Sequence, residues 1–360
     1  MNNIITLLLL LIVNFSVAQQ IIEQKHVVKS FPHRAGKQIE ISNKYGMVQL
    51  QEWDKDSIGI EIKIQVSSDN KKDVAEIMSG IDFKFVNTTL YLEAATVFYN
   101  ETSSFFKDFK KVIVGKSHNI TIDYIVYLPK TNDFELFVEN KYGDIYGADF
   151  NVNVKFSISY GKLKLHDCNA KLDLDLNFAD ASINDLSNAK ILLNYSDIKI
   201  GNVKYLELNS KSSKIEINTA KNLKLISKRD VFSIESANQV ELEGWYTDVY
   251  INKFIEKFYA NSKYGLLNVR GIKNGFNKFI VNSKYTDLTF TLEEPETSYL
   301  LDIAHRKCEL NLPKRNCDTK QELINIEEER YLLKGKVGLK TEPESFFSLN
   351  VEYGVISIIH

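Results

Sequence analysis

Five aspartates recur at one position of a repeated sequence pattern, two residues after an aromatic residue. They are Asp144, Asp180, Asp197, Asp248 and Asp287. Stacked carboxylates could bind Ca²⁺ or a cationic sugar, since Ca²⁺ prefers oxygen ligands. Lysines, valine and leucine interrupt the column, and only Asp180 and Asp197 stand in consecutive repeats. Because Asp also favours tight turns, we interpret the column as turn residues, with Asp180 and Asp197 as the alternative calcium ligands.

Other residue types that could carry chemistry are scattered. The six histidines have no paired spacing and no adjacent cysteine or carboxylate cluster, which argues against zinc. The sequence contains no Gly-x-Ser-x-Gly elbow, phosphate loop or dinucleotide fingerprint. We therefore predict no catalytic residue, no metal site beyond the calcium alternative, no cofactor and no enzymatic activity.

The aromatic residues of the pattern define its period. Most are followed by Gly, Ser or Thr, and from Tyr142 to Tyr285 the positions are spaced 17 to 21 residues apart, with Ser212 and Arg229 standing where an aromatic is expected. Repetition at such a period indicates stacked repeats. The turn residues assigned to this ladder are Tyr45, Gly46, Tyr142, Gly143, Tyr160, Gly161, Tyr195, Tyr246, Tyr264, Gly265, Tyr285, Tyr353 and Gly354.

The flanks of each aromatic position predict the fold. Positions six and four before it, and three after it, carry no charged residue in any repeat. Spacing of two indicates β-strands, so each repeat is strand, tight turn, strand. We predict an all-β parallel β-solenoid of about twelve coils of 17–22 residues with an N-terminal strand-rich cap containing one short helix. The alternative is an antiparallel meander in a barrel or sandwich.

The direction of the aromatic side chains decides whether they could bind anything. Their two-residue spacing from the apolar positions favours an inward, structural ladder. Buried tyrosines usually hydrogen-bond through the hydroxyl, and the expected partners are Asn140, Asn177, Asn194, Ser210, Ser227, Ser262 and Ser283. The alternative is a platform on which sugars stack.

Composition and the N-terminus bear on location and partners. The net charge is −2, which gives no electrostatic case for nucleic acid. Residues 1–18 resemble a signal peptide, with an apolar run from Ile4 to Val13 and a small-x-small cleavage pattern at Ser16–Ala18. The sequence has no second apolar run, so we expect no transmembrane segment. We expect an exported protein in the periplasm, at the cell surface or secreted.

The chain divides into three regions. After the signal peptide (1–18), residues 19–135 hold the first coil and a capping or inserted region, with a helix after Ser68-Asp69. Residues 136–360 form the solenoid, looser from about 293. In that looser part Cys308 and Cys317 could form a disulfide, and two unpaired thiols are the alternative. The segment 100–117 mixes basic and aromatic residues and is interpreted as a loop, with a membrane or partner contact as the alternative.

Several of these features together resemble a known family. The leader, the Asn/Ser-Lys-Tyr-Gly turns and the closing strands around Tyr353-Gly354 resemble the putative-adhesin families of bacterial β-solenoids, including the head GIN type. The resemblance implies a cell-envelope or secreted protein with no established activity, grouped as adhesin-like largely by its fold. Our leading hypothesis is a non-enzymatic envelope or surface protein that offers a repetitive solenoid face to a glycan, a cell-wall polymer or another envelope protein. Two alternatives remain: a solenoid carbohydrate lyase or hydrolase, and a periplasmic scaffold without an external ligand.

Overall fold

The computed structural model describes residues 20–99, 119–131 and 133–360. Nearly all of this part is β-structure, joined in one long, mostly parallel sheet. The elements of the first half are β1 (Ile21–Pro32), β2 (Lys37–Lys44), β3 (Val48–Trp53), β4 (Ser57–Ser68), α1 (Lys71–Ser79), β5 (Ile81–Asn87), β6 (Tyr91–Phe98), β7 (Asn119–Pro129), β8 (Phe134–Lys141), β9 (Ile145–Gly147) and β10 (Val154–Ser159). Those of the second half are β11 (Lys162–Asn177), β12 (Asp180–Asn194), β13 (Asp197–Lys211), β14 (Lys214–Lys228), β15 (Val231–Ile272), β16 (Lys278–Leu292), β17 (Tyr299–Asn311), β18 (Cys317–Asn325), β19 (Arg330–Val337) and β20 (Phe346–Ile359).

Parallel pairing in the central part follows the sequence repeat. Ile191 of β12 pairs with Leu208 of β13, which pairs with Leu225 of β14, so each residue lies against its counterpart one repeat later. This register is that of an all-β, solenoid-like fold and excludes the antiparallel meander for these strands. One repeat, from strand through turn to strand, is called a coil below.

The apolar columns line the interior as predicted. Ile191, Leu208, Ile215 and Ile217 are all buried, and the same positions are buried in neighbouring coils. Towards the C-terminal end the interior is filled by phenylalanines: Phe279 packs against Phe254 and Phe258 at ring-centroid distances of 4.9 and 5.3 Å. Because aromatic rings bury large apolar areas, this cluster stabilises the wider coils there.

The N-terminal strands cover the first coil. β6 pairs with β2, and β7 with β3, while β1, β4 and β7 form an antiparallel layer. The predicted helix is α1, in which the Asn70 side chain accepts a hydrogen bond from the Lys72 amide and Gly80 forms the C-cap. Its buried residues are Val74 and Ile77, as its apolar spacing indicates.

Two sequence predictions lie outside the described residues: the signal peptide, and the basic and aromatic segment at 100–117. No helix within the described ranges has the length and hydropathy needed to cross a bilayer.

The C-terminal strand is out of sequence order in space. β20 pairs in parallel with both β16 and β17, so the last coil of the chain lies between two earlier ones. β19 and β18 then continue the sheet in antiparallel pairing beside β17. Tyr331 and Leu333 lie in the antiparallel strand β19, so this part of the looser region is not a further parallel coil.

A buried histidine in this end region predicts acid sensitivity. His305 is 6% exposed and stacks against Tyr331. Burial lowers its pKa, and the nearby Gln321 side chain offsets this only in part. Below about pH 6.5 the imidazole of His305 is protonated in the unfolded chain but stays neutral over a wider pH range in the folded chain. The free energy of unfolding therefore falls as the pH falls. We expect His305→Phe to weaken this dependence, measured as thermal unfolding midpoints between pH 7.5 and 5. An unchanged slope would contradict it.

Candidate binding surface along the aromatic ladder

The aromatic residues of the repeat form two stacks of nearly parallel rings. The first stack is Tyr45, Tyr142, Tyr160, Phe178 and Tyr195, with adjacent ring centroids 5.0 to 5.4 Å apart. The second is Tyr246, Tyr264, Tyr285 and Tyr353, with centroids 4.7 to 5.1 Å apart. Together they are called the aromatic ladder. The stacking confirms that these positions lie above one another along the coils.

The ladder faces solvent, so the predicted inward orientation is wrong. Phe178 is 51% exposed and Tyr246 is 55% exposed. The expected partners do not hold the tyrosine hydroxyls: Ser210 and Ser227 are buried inside. The Asn194 side chain donates instead to the Asn177 side chain in the preceding coil, at 3.1 Å.

The backbone explains the reversal. Every ladder residue has φ between 52° and 68°, in the left-handed region, which non-glycine residues adopt rarely. This conformation resets the alternation of the strand, so the residue after the aromatic points inward, as the buried Ala179 and Ser196 do. The aromatic residue itself is left on the outside of the corner.

Ring stacking roughly offsets the strain of these corners. A left-handed non-glycine residue costs of order 1–2 kcal/mol, and an aromatic pair contributes about 0.5–1.5 kcal/mol. Ser212, Arg229 and Lys307 adopt the same φ without a ring. The turn geometry therefore does not require an aromatic side chain, which leaves the exposed rings available for contact with a ligand.

Different charges border the ladder on its two sides. On the side preceding the rings, the Lys44, Lys141 and Lys211 ammonium groups lie 5.2 to 5.6 Å from ring centroids. The aspartate column borders the other side. A ligand on the ladder would thus meet cationic donors along one edge and carboxylate acceptors along the other.

Several aspartates of that column bind backbone amides of the next coil. Asp144 accepts from the Lys162 amide at 2.8 Å, Asp197 from the Lys214 amide at 3.3 Å, and Asp287 from the Val355 amide at 2.9 Å. These bonds match the turn interpretation. Asp180 and Asp197 lie directly opposite each other in register, and their role as calcium ligands stays a prediction.

The structure brings together a cluster that the sequence interpretation missed. His166 Nδ1 lies 2.6 Å from an Asp149 oxygen and 3.5 Å from an Asp167 oxygen. The hydrogen bond to Asp149 is the largest cause that raises the pKa of His166. Asp149 precedes His166 by one repeat, which was the available sequence signal. Imidazole and carboxylates can bind a metal, but an exposed ion pair alone accounts for the geometry.

The cysteines carry no bridge. Cys168, Cys308 and Cys317 are free thiols, so the disulfide considered for the last two is not formed. Cys308 Sγ donates instead to the carbonyls of Arg306 and Val351, at 3.3 and 3.4 Å. The register places Cys308 against Gly354, and Cys317 against Val337 of β19, which separates the two thiols.

An open groove of about 620 Å³ crosses the coils on the face after the corner. Its polar lining includes Asn218, Asn252 and Glu216. Lys199 and Lys214 pair with Glu216 at 2.9 and 2.5 Å, and the pKa of this carboxyl is lowered, chiefly by the hydrogen bond with Lys214. A carboxyl group that acts as a general acid needs a raised pKa. The pKa of Glu216 is shifted in the opposite direction, so this residue does not meet the requirement.

The chain resembles known proteins only in structure, and only distantly. No family model matches the chain, and no curated protein matches it. Among solved structures, a putative cell adhesion protein from Clostridium sporogenes is 10% identical, covers 94% of this chain and 99% of its own, and has a TM-score of 0.23. A putative adhesin from Bacteroides fragilis is 10% identical, covers 93% and 97%, and has a TM-score of 0.32. At these values neither likeness carries an argument.

Proposed function

We propose that this protein is a non-enzymatic, adhesin-like contact protein that binds an extended glycan or cell-wall polymer along the aromatic ladder. The observation that carries the proposal is the exposed row of rings. Their repeat of about 5 Å is set by the stacking of coils. One residue of an extended β-linked glycan advances by a similar length, so successive sugars can meet successive coils in the same way.

The chemistry of the ladder suits a polyhydroxylated chain. Stacked rings cover one another's faces and turn their edges, and the tyrosine hydroxyls, towards solvent. Lysines on one side and aspartates on the other add donors and acceptors at the same repeat. A long surface with many equal contacts fits a polymer better than a small molecule, as is usual for repeat proteins.

The absence of enzymatic activity belongs to this proposal. Glu216 in the open groove does not argue against it, because its pKa is lowered, whereas the general acid of glycoside hydrolysis needs a carboxyl group that holds its proton. Export belongs to it as well, and the signal-peptide pattern of residues 1–18 supports that step.

Removing two adjacent rings is expected to weaken polymer binding while keeping the fold. In Tyr160→Asn/Phe178→Asn both new residues tolerate the left-handed backbone, so the corners are retained. We expect at least a tenfold loss of affinity for any polymer that the wild-type protein, residues 19–360, binds on an array of glycans and cell-wall polymers. Biolayer interferometry measures the affinity, and circular dichroism checks the fold.

Tyr205→Asn is the matched control, because Tyr205 is an exposed tyrosine away from the ladder. It should bind as the wild type does. If the wild-type protein binds no polymer at high concentration, the scaffold alternative replaces this proposal. If a bound polymer is cut, as shown by new reducing ends or unsaturated products, the enzyme alternative does.

A further inference from the structure

The ladder is interrupted in two consecutive coils, where Ser212 and Arg229 replace the ring. Their φ values of 53° and 61° match those of the aromatic corners, so only the side chains change. The space bounded by Tyr195, Ser212, Arg229 and Tyr246 is called the notch. Three coil spacings separate its two tyrosines, roughly 14 Å.

The notch leaves an aromatic face of the ladder without a neighbouring ring. Phe178, for example, has a ring on both sides, at 5.3 and 5.0 Å. Tyr195 and Tyr246 each have a ring neighbour on one side. On the other side, the face of Tyr246 is directed across the notch, and that of Tyr195 carries the Lys211 ammonium, 5.6 Å from the ring centroid. Since an atom packs against a ring at about 3.5–4.0 Å, the notch can admit flat rings beside Arg229.

The charge also changes at the notch. The aspartate column is replaced there by Val231 and by Lys214, whose charge is paired with Glu216. Lys211 Nζ lies 5.6 Å from the Tyr195 ring centroid. Lys228 and Arg229 are exposed, and neither forms an ion pair with another described residue. The notch is thus a local cationic site, whereas Asp197 and Asp248 lie in the coils on either side.

A buried carboxylate holds the corners of the notch in place. Asp230, 1% exposed, accepts hydrogen bonds from the Ser210 and Ser227 hydroxyls at 2.7 and 2.6 Å. It also accepts from the amides of Ser213 and Lys228, at 2.8 and 3.0 Å. These amides belong to residues adjacent to Ser212 and Arg229. The backbone of the notch is therefore fixed before any ligand arrives, which lowers the cost of binding.

We propose that the notch binds the acidic sugar of a glycan in which uronate and neutral residues alternate. The inference rests on the proposed function and names its polymer class. The uronate carboxylate would pair with the Arg229 guanidinium, whose planar fork suits carboxylates, and a sugar ring would pack on the open face of Tyr246. A chain charged at every residue, such as single-stranded nucleic acid, would place a charge against Asp248, one coil from Arg229, and would be repelled there.

The test uses hyaluronan, which carries one carboxylate per disaccharide, and carboxyl-reduced hyaluronan of the same length. We expect the wild-type protein to bind the reduced polymer at least tenfold more weakly, and Arg229→Gln to lose at least tenfold in affinity for hyaluronan. Ser212→Tyr/Arg229→Tyr extends the ladder through the notch and should abolish hyaluronan binding. Lys155→Gln removes an exposed charge away from the notch and should bind normally. Unfolding midpoints confirm that each variant is folded.

Equal affinity for the two polymers, an unaffected Arg229→Gln, or tighter binding of oligothymidylate than of hyaluronan would overturn the inference. If other polymers still bind and depend on Tyr160 and Phe178, the notch assignment alone fails. If no polymer of the array binds the wild-type protein, the proposed function fails with it.

Discussion

Gly143→Ala is expected to destabilise the first coils severely, by at least about 3 kcal/mol, or to prevent soluble expression. A Cβ at Gly143 would lie 1.9 Å from the Gly46 carbonyl oxygen and 2.6 Å from its carbon. Both are backbone atoms of the preceding coil, so relief requires separation of the paired strands. Urea unfolding followed by circular dichroism measures the shift, read as a midpoint because repeat arrays need not unfold in one step.

An interior asparagine explains why this corner is so close. Asn140 donates to the carbonyls of Gly46 and Asp144, at 2.8 and 3.0 Å, which holds the neighbouring corners together. Ala179→Gly is the matched control, because Ala179 occupies the same turn position in a coil that accommodates a Cβ. It should cost about 1 kcal/mol or less, mainly through backbone entropy. A Gly143→Ala protein with an unchanged midpoint would contradict the close approach.

Asp230→Leu is expected to cost about 3–5 kcal/mol, because it leaves two hydroxyls and two amides without their buried acceptor. The four donors converge on one carboxylate, and Ser227 also lies 2.8 Å from the Thr247 hydroxyl oxygen, so the loss extends into the next coil. Thermal and urea unfolding midpoints measure it.

Asp230→Ser is the informative companion variant. Serine occupies the same position in the two preceding coils, where the Ser213 hydroxyl accepts from the Ser196 amide at 3.2 Å and donates to the Lys211 carbonyl at 3.0 Å. A serine at 230 can repeat this pattern, so we expect it to recover most of the stability lost in Asp230→Leu. Equal destabilisation by the two variants would show that the network needs the carboxylate charge itself.

The sequence contained a signal for the outward direction of the rings, but a regular alternation of inward and outward residues predicts the opposite direction. Inward positions are odd-numbered before the corner, as at Ala189 and Ile191, and even-numbered after it, as at Ile198 and Ile200. One residue at each corner must therefore break the alternation. If the strand alternation continued unbroken through the corner, the Tyr195 ring would point into the interior. The left-handed backbone at Tyr195 breaks the alternation, so Ser196 points inward and the ring points outward.

The open aromatic face in the notch could not be found from the sequence for a related reason. Ser212 and Arg229 appeared as gaps in a structural column, and Asp230 as one more charged residue. Only the stacked rings show which faces are covered, and only the burial of Asp230 shows that a carboxylate lies inside the corner.

The sequence by itself determined the strand period, the apolar columns and the parallel register, because stacked coils bring like positions together and each column must stay apolar to be buried. The tertiary structure alone decided which way the rings point, since that depends on the sign of one backbone angle at each corner. It also decided that β20 lies between β16 and β17, because equivalent coils offer similar edges and the sequence repeat alone does not fix which edge a strand joins.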